Sequence, residues 1–188
     1  MRFGLHRDRA DSLPSEVSDA LHQAEEGGLA LGRVLAGAPE ADSRAWLVAS
    51  IYRFSLVDRA PGEQQALVWS RPWHEVDAGT WRQESSQLFV TWVDRSRPGQ
   101  WRLGNDPRDR TFLQTLRERV QASVVVAEEL DLSWRRTGRV VIRQDLATGD
   151  LLEQTILGRG VQMDEEVETA VARTLAYLRE QVGLPPEK

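Results

Sequence analysis

The chain contains no cysteine, and that absence removes disulfides, thiolate metal sites and a cysteine nucleophile together. Lysine is almost missing as well: Lys188 is the only one, and every other cationic side chain is arginine. With Ala, Gly and Val abundant, this is the bias of a GC-rich bacterial genome, so arginine abundance carries no functional weight. Arginine position does, because a guanidinium makes bidentate contacts and stacks on rings where an ammonium does not. Long apolar runs are missing too, since no stretch approaches the ~18–20 residues a membrane-spanning helix needs. The leading segment MRFGLHRDRADSLP has neither an apolar stretch nor a small-residue cleavage site after its basic residues, unlike a secretory signal. The expected compartment is the cytoplasm, away from membranes. Cationic excess is lacking: a net charge of -5 and a pI near 5.3 argue against nucleic acid as a partner. Short catalytic signatures are absent as well, among them a phosphate loop, a dinucleotide fingerprint, His-Glu-x-x-His and Gly-x-Ser-x-Gly. Nothing in the sequence calls for a cofactor or a metal.

What is present suits one globular domain spanning residues 1–188, with flexible ends at 1–12 and 184–188. The length of 188 residues, 40% hydrophobic and 28% charged, is enough to bury a core without staples. A first helix is predicted from SLPSEVSDALHQAEE, with Ser12 or Ser15 as cap, Pro14 in the first turn, and Val17, Ala20, Leu21 and Ala24 at helical spacing. LALGRVLAGAPEAD reads as a second short helix ending near Pro39. SRAWLVASIYRFSLVD reads as one strand with Trp46, Val48, Tyr52, Phe54 and Leu56 on one face, and with Ile51 and Val57 enriching the other. Turns at Pro61-Gly62, Asp77-Ala78-Gly79 and Arg97-Pro98-Gly99 separate QALVWS, TWRQE, QLFVTWVD and QWRL, a meander of short strands.

Asp106 and Pro107 start a central helix with the stripe Phe112, Leu113, Leu116 and Val120. Its pattern continues through Val124 and Ala127 to about Leu130, although Val124-Val125-Val126 favours a strand. GRVVIRQDLATGDLLEQTILG is a hairpin turning at Thr148-Gly149-Asp150. The last helix carries Val167, Val171, Leu175, Leu178 and Val182, with acids at its start and Gly183 and Pro185-Pro186 at its end. The predicted class is α+β: an antiparallel sheet, made of the N-terminal meander plus the C-terminal hairpin, packed by N-terminal, central and C-terminal helices. This order of elements is similar to that of the type III secretion chaperone-like fold. The resemblance implies a dimer that binds segments of other proteins.

Two clusters invite chemistry. WHEVD offers His74, Glu75 and Asp77, residue types that bind divalent metals or act as acid and base. Only His6 and His22 add imidazoles, and short polar clusters near Pro and Gly form turns, the reading preferred here. Acid runs at Glu25-Glu26, Glu128-Glu129 and Asp164-Glu165-Glu166 read as solvated faces or helix starts, and Gly158-Arg159-Gly160 as a strand exit.

The second cluster is larger: residues 67–102 hold Trp69, Trp73, Trp81, Trp92 and Trp101, five of the 7 tryptophans. Period-2 alternation puts Trp92 with Leu88 and Val90 in the core, Trp46 in the core of its own strand, and Trp69 beside Leu67. Trp73, Trp81 and Trp101 stand beside turns, near Arg71, His74 and Arg82. They read either as edge-closing rings or as an exposed aromatic shelf that, with those three residues, binds a ligand. The function expected from all this is a non-enzymatic interaction module, chaperone-like or adaptor, with a protein or peptide partner and self-association into a homodimer. The alternative is a small-molecule-binding domain or small enzyme with a pocket between the curved sheet and the helices.

Overall fold

The computed structural model describes residues 13–58, 66–133 and 135–185. Ser12, His6, the Pro61-Gly62 turn, Pro186, Lys188 and the N-terminal end at 1–12 lie outside the described residues. The contacts divide the chain into two compact units, Met1–Gln121 and Ala122–Lys188. Three helices and three antiparallel sheets make the class α+β. The sheet expected as one continuous surface is thus three.

In the first unit, α1 (Ser15–Glu26) starts after Pro14, as its apolar spacing predicts, and buries Val17, Ala20 and Leu21. The second helix expected around residues 29–42 is instead β1 (Val34–Pro39). Gly37 and Pro39 disfavour helix, and the small run Ala36-Gly37-Ala38 allows close approach, since a side chain at Gly37 would strike Leu13. The single strand expected from Trp46 to Leu56 is a hairpin, β2 (Trp46–Ser50) and β3 (Arg53–Asp58). Ser50 makes the turn: its hydroxyl donates to the Arg53 carbonyl at 3.0 Å and accepts the Arg53 N–H at 3.2 Å.

Reversal at Ile51-Tyr52 sends the predicted face in two directions. Val48 and Val57 lie in the cluster that packs on α1, joined by Trp46, whereas Phe54 and Leu56 point to the opposite side, with Leu56 paired to Trp69. The strand β4 (Ala66–Pro72) completes a sheet of order β1-β2-β3-β4. Leu67 and Trp69 were expected on one face, but β4 carries one extra residue at Val68, where the partners step from Leu56/Trp69 to Val57/Leu67. A bulge of that kind flips the alternation of the strand beyond it, so Leu67 joins the α1 side and Trp69 the other.

After a 3-10 turn at Trp73–Glu75 come β5 (Val76–Arg82), β6 (Gln87–Trp92) and β7 (Gly99–Arg102), a second sheet of order β5-β6-β7. Asp77-Ala78-Gly79, expected as a turn, lies within β5, where Asp77 is a bulge residue. The helix α2 (Pro107–Ser123) begins as predicted, with Asp106 Oδ1 accepting the N–H groups of Arg108 at 2.8 Å and Asp109 at 3.0 Å.

Helix was expected to run on to Leu130, but β8 (Val124–Glu129) comes directly after Ser123. The β-branched triplet fits a pleated surface better than a helix, and β9 (Gly138–Gln144) offers the ladder that makes the difference real. Together with β10 (Leu151–Leu157), these strands form the sheet β10-β9-β8 of the second unit. Gly149 takes the positive φ of 84° in the predicted hairpin turn. One face of this sheet is covered by α3 (Glu165–Gln181) through Val140, Ile142, Ala170 and Leu178.

Asp164 caps α3 by accepting the Val167 N–H at 3.1 Å. Arg136 bridges Asp164 and Glu166, at 2.7 Å to each, and Glu166 also accepts the N–H of Ser133 at 2.7 Å and its hydroxyl at 3.0 Å. Hydrogen bonding from Arg136 holds the Asp164 carboxyl below its usual range of 3.8, and hydrogen bonds from Ser133 do the same for Glu166, below 4.5. Depressed carboxyl pKa values contribute stability that is present above the unfolded value and lost as pH falls through the folded one. Glu166→Gln is therefore expected to lower the unfolding midpoint at neutral pH, with the deficit closing as pH falls below the ordinary carboxyl value of 4.5. Thermal unfolding across pH checks this, and parallel curves would refute it.

Candidate functional site

The tryptophan-rich segment is organised around a residue outside it. Phe54, fully buried on β3, meets Trp69 at 5.1 Å with planes at 86°, Trp73 at 5.7 Å in a stack, and Trp92, Trp101 and Phe112 at 6.1, 5.9 and 6.1 Å. Trp69 also packs edge-on against Trp92 at 5.5 Å and touches Trp101 at 6.0 Å. Offset and edge-to-face geometries of this kind contribute about 0.5–1.5 kcal/mol per pair beyond area burial.

Each ring reaches the cluster by a local device. The Val68 bulge turns Trp69 inward. The 3-10 turn puts Trp73 at 0% exposure, with its indole N–H donating to the Ser50 carbonyl at 3.0 Å. Register places Trp81 and Trp101 both opposite Leu88 on β6, and Val90 between Gly79 and Gly99. These residues share one face of the sheet, and α2 lies on it, because a side chain at Gly79 would come within 2.7 Å of Leu116. The Trp101 ring covers Gly99, which has no room for a Cβ.

The residues proposed for an exposed shelf therefore divide. Trp73 is core, which corrects its assignment to a rim. Trp81 and Trp101 are half-buried on the helix-facing side of their sheet. Arg82 alternates to the opposite side, where its guanidinium lies 4.6 Å from the Phe89 ring. Arg71 is half-buried over Trp92 at 4.5 Å and is held by Asp94 at 3.0 Å and Glu75 at 3.6 Å. Hydrogen bonds from Ser96, the larger cause, and from Arg71 keep the Asp94 carboxyl below its usual range. His74 is half-buried in the 3-10 turn.

The acids of WHEVD are likewise committed elsewhere: the Glu75 carboxylate lies 3.6 Å from the Arg71 guanidinium, and Asp77 accepts the Thr91 hydroxyl at 3.0 Å. Among the described residues, no three His, Cys, Asp or Glu side chains group as a metal would need.

One group that composition did not flag is Asp109. It sits on the inward face of α2, one turn before Phe112, with 1% exposure. Its Oδ2 accepts the Asp106 N–H at 3.3 Å, reciprocating the cap, while Oδ1 has no hydrogen-bond partner among the described residues. Burial pushes its carboxyl pKa above 3.8, and the neighbouring Asp106 charge adds to the rise. An acid at the third helical position after a capping residue is its only trace in the sequence. No family model matches the chain, and no curated protein matches its sequence.

Phe54→Ala is expected to cost about 3–5 kcal/mol and to red-shift tryptophan emission, because the loss opens the cluster that shields several rings. Chemical denaturation followed by fluorescence checks it, and a cost near that of an ordinary surface change would refute the hub. For Asp109 the sign is opposite to that of Glu166: a raised folded pKa means stability is lost as pH rises through it. Asp109→Asn should gain on the wild type as pH rises from below the ordinary carboxyl value of 3.8. Parallel stability profiles of the two proteins would show that this carboxyl does not titrate over that rise.

Proposed function

We propose that the chain is a non-catalytic protein-interaction module, with Ala122–Lys188 as its binding part. One observation carries the reading: of the five large apolar residues most exposed among the described residues, four, Val125, Leu151, Met163 and Tyr177, belong to that unit. Val125 and Tyr177 are 45% and 52% exposed. Contiguous exposed apolar surface marks contact sites, and the concentration of four such side chains in the shorter unit supports the reading.

The use of the aromatic rings supports the same reading. Of the three rings that looked like a ligand shelf, Trp73 and Trp101 pack around Phe54 and Trp81 is half-buried on the same sheet face as Trp101, and on this reading the partner's contacts lie elsewhere. The succession of helix, strands, helix, strands and helix, similar to that of the type III secretion chaperone-like fold, is consistent with a protein or peptide as the partner. The acidic net charge makes nucleic acid a poor alternative.

The test uses the full chain as bait in cross-linking capture, compared with a Val125→Ser, Met163→Ser, Tyr177→Ser triple variant. These surface changes should each alter stability by no more than ~0.5 kcal/mol. Wild type is expected to enrich a specific protein set that the variant loses. Equal recovery by the two baits, or no specific recovery by either, overturns the reading.

A further inference from the structure

Four of the outermost strands in the three sheets carry the same defect. Partner steps leave one extra residue at Leu35 in β1, Val68 in β4, Asp77 in β5 and Val125 in β8. Each is a terminal strand of its sheet. β1 and β4 also end in proline, at Pro39 and Pro72, and β8 ends in Glu128-Glu129. The fifth, β7, is only 4 residues long, and its last residue, Arg102, is held by Asp42 and Glu40. Bulges, prolines, charges and shortness are the means by which edge strands avoid pairing with other chains.

The sixth edge has neither bulge nor proline, and it is not short. β10 (Leu151–Leu157) runs 7 residues in unbroken register with β9, contains no proline, and has one charge, Glu153, which Arg179 neutralises at 2.6 and 3.0 Å. Leu151 is 37% exposed and no residue of the strand is fully buried. From this contrast we infer that β10 pairs antiparallel with β10 of a second copy of the chain, joining two three-stranded sheets into one of six strands about a two-fold axis at Gln154. The inference rests on the interaction-module reading and names one partner for it.

The sequence of the strand selects that axis, and its backbone parity permits it. That sequence, Leu-Leu-Glu-Gln-Thr-Ile-Leu, is nearly symmetric about its middle. Antiparallel pairing centred on Gln154 sets Leu151 against Leu157, Leu152 against Ile156 and Glu153 against Thr155, apolar with apolar and polar with polar. No like charges meet, and one apolar patch faces its equal, as an isologous contact requires.

Backbone parity agrees with that axis. Asp145 donates to the Asp150 carbonyl at 2.8 Å and Gly158 to that of Thr137 at 2.7 Å. In an antiparallel ladder the bonded pairs alternate, so Leu152, Gln154 and Ile156 direct their amides to β9, while Leu151, Glu153, Thr155 and Leu157 direct theirs to the outer side. A dyad at Gln154 brings the outward groups of Glu153 and Thr155 opposite each other. A one-residue slip would set outward groups against inward ones and lose the ladder.

Because the chain has no cysteine, a single introduced thiol is a clean reporter. Residues facing across the dyad in a non-hydrogen-bonded pair have Cα atoms about 4.5 Å apart, within the ~4.4–6.8 Å that a disulfide spans. The purified full chain is expected to show a concentration-dependent dimer, twice 21.3 kDa, by light scattering on a sizing column. Gln154→Cys should then form a covalent dimer under mild oxidation. Leu152→Cys, on the same face but about 13 Å from its own copy, should not. Thr155→Pro removes an outward donor and leaves the β9 ladder intact, so it should abolish the dimer while circular dichroism stays unchanged.

A wild type that is monomeric throughout the dilution series overturns the pairing without touching partner capture. A dimer in which Gln154→Cys and Leu152→Cys cross-link equally, or not at all, also overturns it. If the two baits recover the same proteins, or neither recovers a specific set, but the Gln154→Cys dimer forms, the self-pairing stands and only the wider module reading falls.

Discussion

The packing of one phenylalanine organises Met1–Gln121. Phe54 touches four tryptophans and Phe112, and each of those rings comes from a different piece of chain: β4, the 3-10 turn, β6, β7 and α2. Rings are large and rigid, so a cluster of this kind fixes the direction from which every contributor must arrive. The Val68 bulge, the buried Trp73 indole bonded to Ser50, and the bare Gly79 and Gly99 are local conditions for that convergence. The sheet β1-β2-β3-β4 accordingly has both faces covered, with α1 on one and the rings on the other. This is why β2 is apolar in succession, with Leu47, Val48 and Ala49 all buried.

The interleaving of arginine and tryptophan has a packing explanation that composition alone could not supply. Alternating residues on a strand point to opposite faces. Trp81 goes inward while Arg82 covers Phe89 outside, and Arg108 on α2 lies 5.5 Å from the Trp46 ring. Planar guanidinium groups stack on ring faces and cover apolar surface while keeping their charge in water. A sequence rich in both residue types therefore resembles a binding platform even where each pair is part of the fold. Exposed apolar side chains are concentrated instead in Ala122–Lys188, where one helix covers one face of a small sheet.

Much of the architecture was legible in the amino-acid order. The N-terminal, central and C-terminal helices, the Asp106 and Asp164 starts, the Gly149 hairpin and the inward placement of Leu88, Val90 and Trp92 all derive from periodicity and capping chemistry. Those signals act over three or four residues, within reach of the chain's own neighbours. The candidate site was less legible. Its residues were singled out correctly as an aromatic concentration, but only the positions of Phe54 and Phe112, remote in sequence, show that the rings face one another.

Sequence alone determined the α+β class, the polarity of each helix and the absence of thiol chemistry, because propensities, caps and residue types are local properties. Tertiary structure decided the rest. It folded the apolar run at 46–57 into a hairpin, made residues 34–39 a strand, and ended α2 at Ser123 because β9 was there to pair with Val124–Glu129. It also inserted the bulges that turn Leu67 and Trp69 to opposite faces. Each of these outcomes depends on a hydrogen-bonding or packing partner distant along the chain, and whether such a partner is present is a fact about space that no short window of sequence contains.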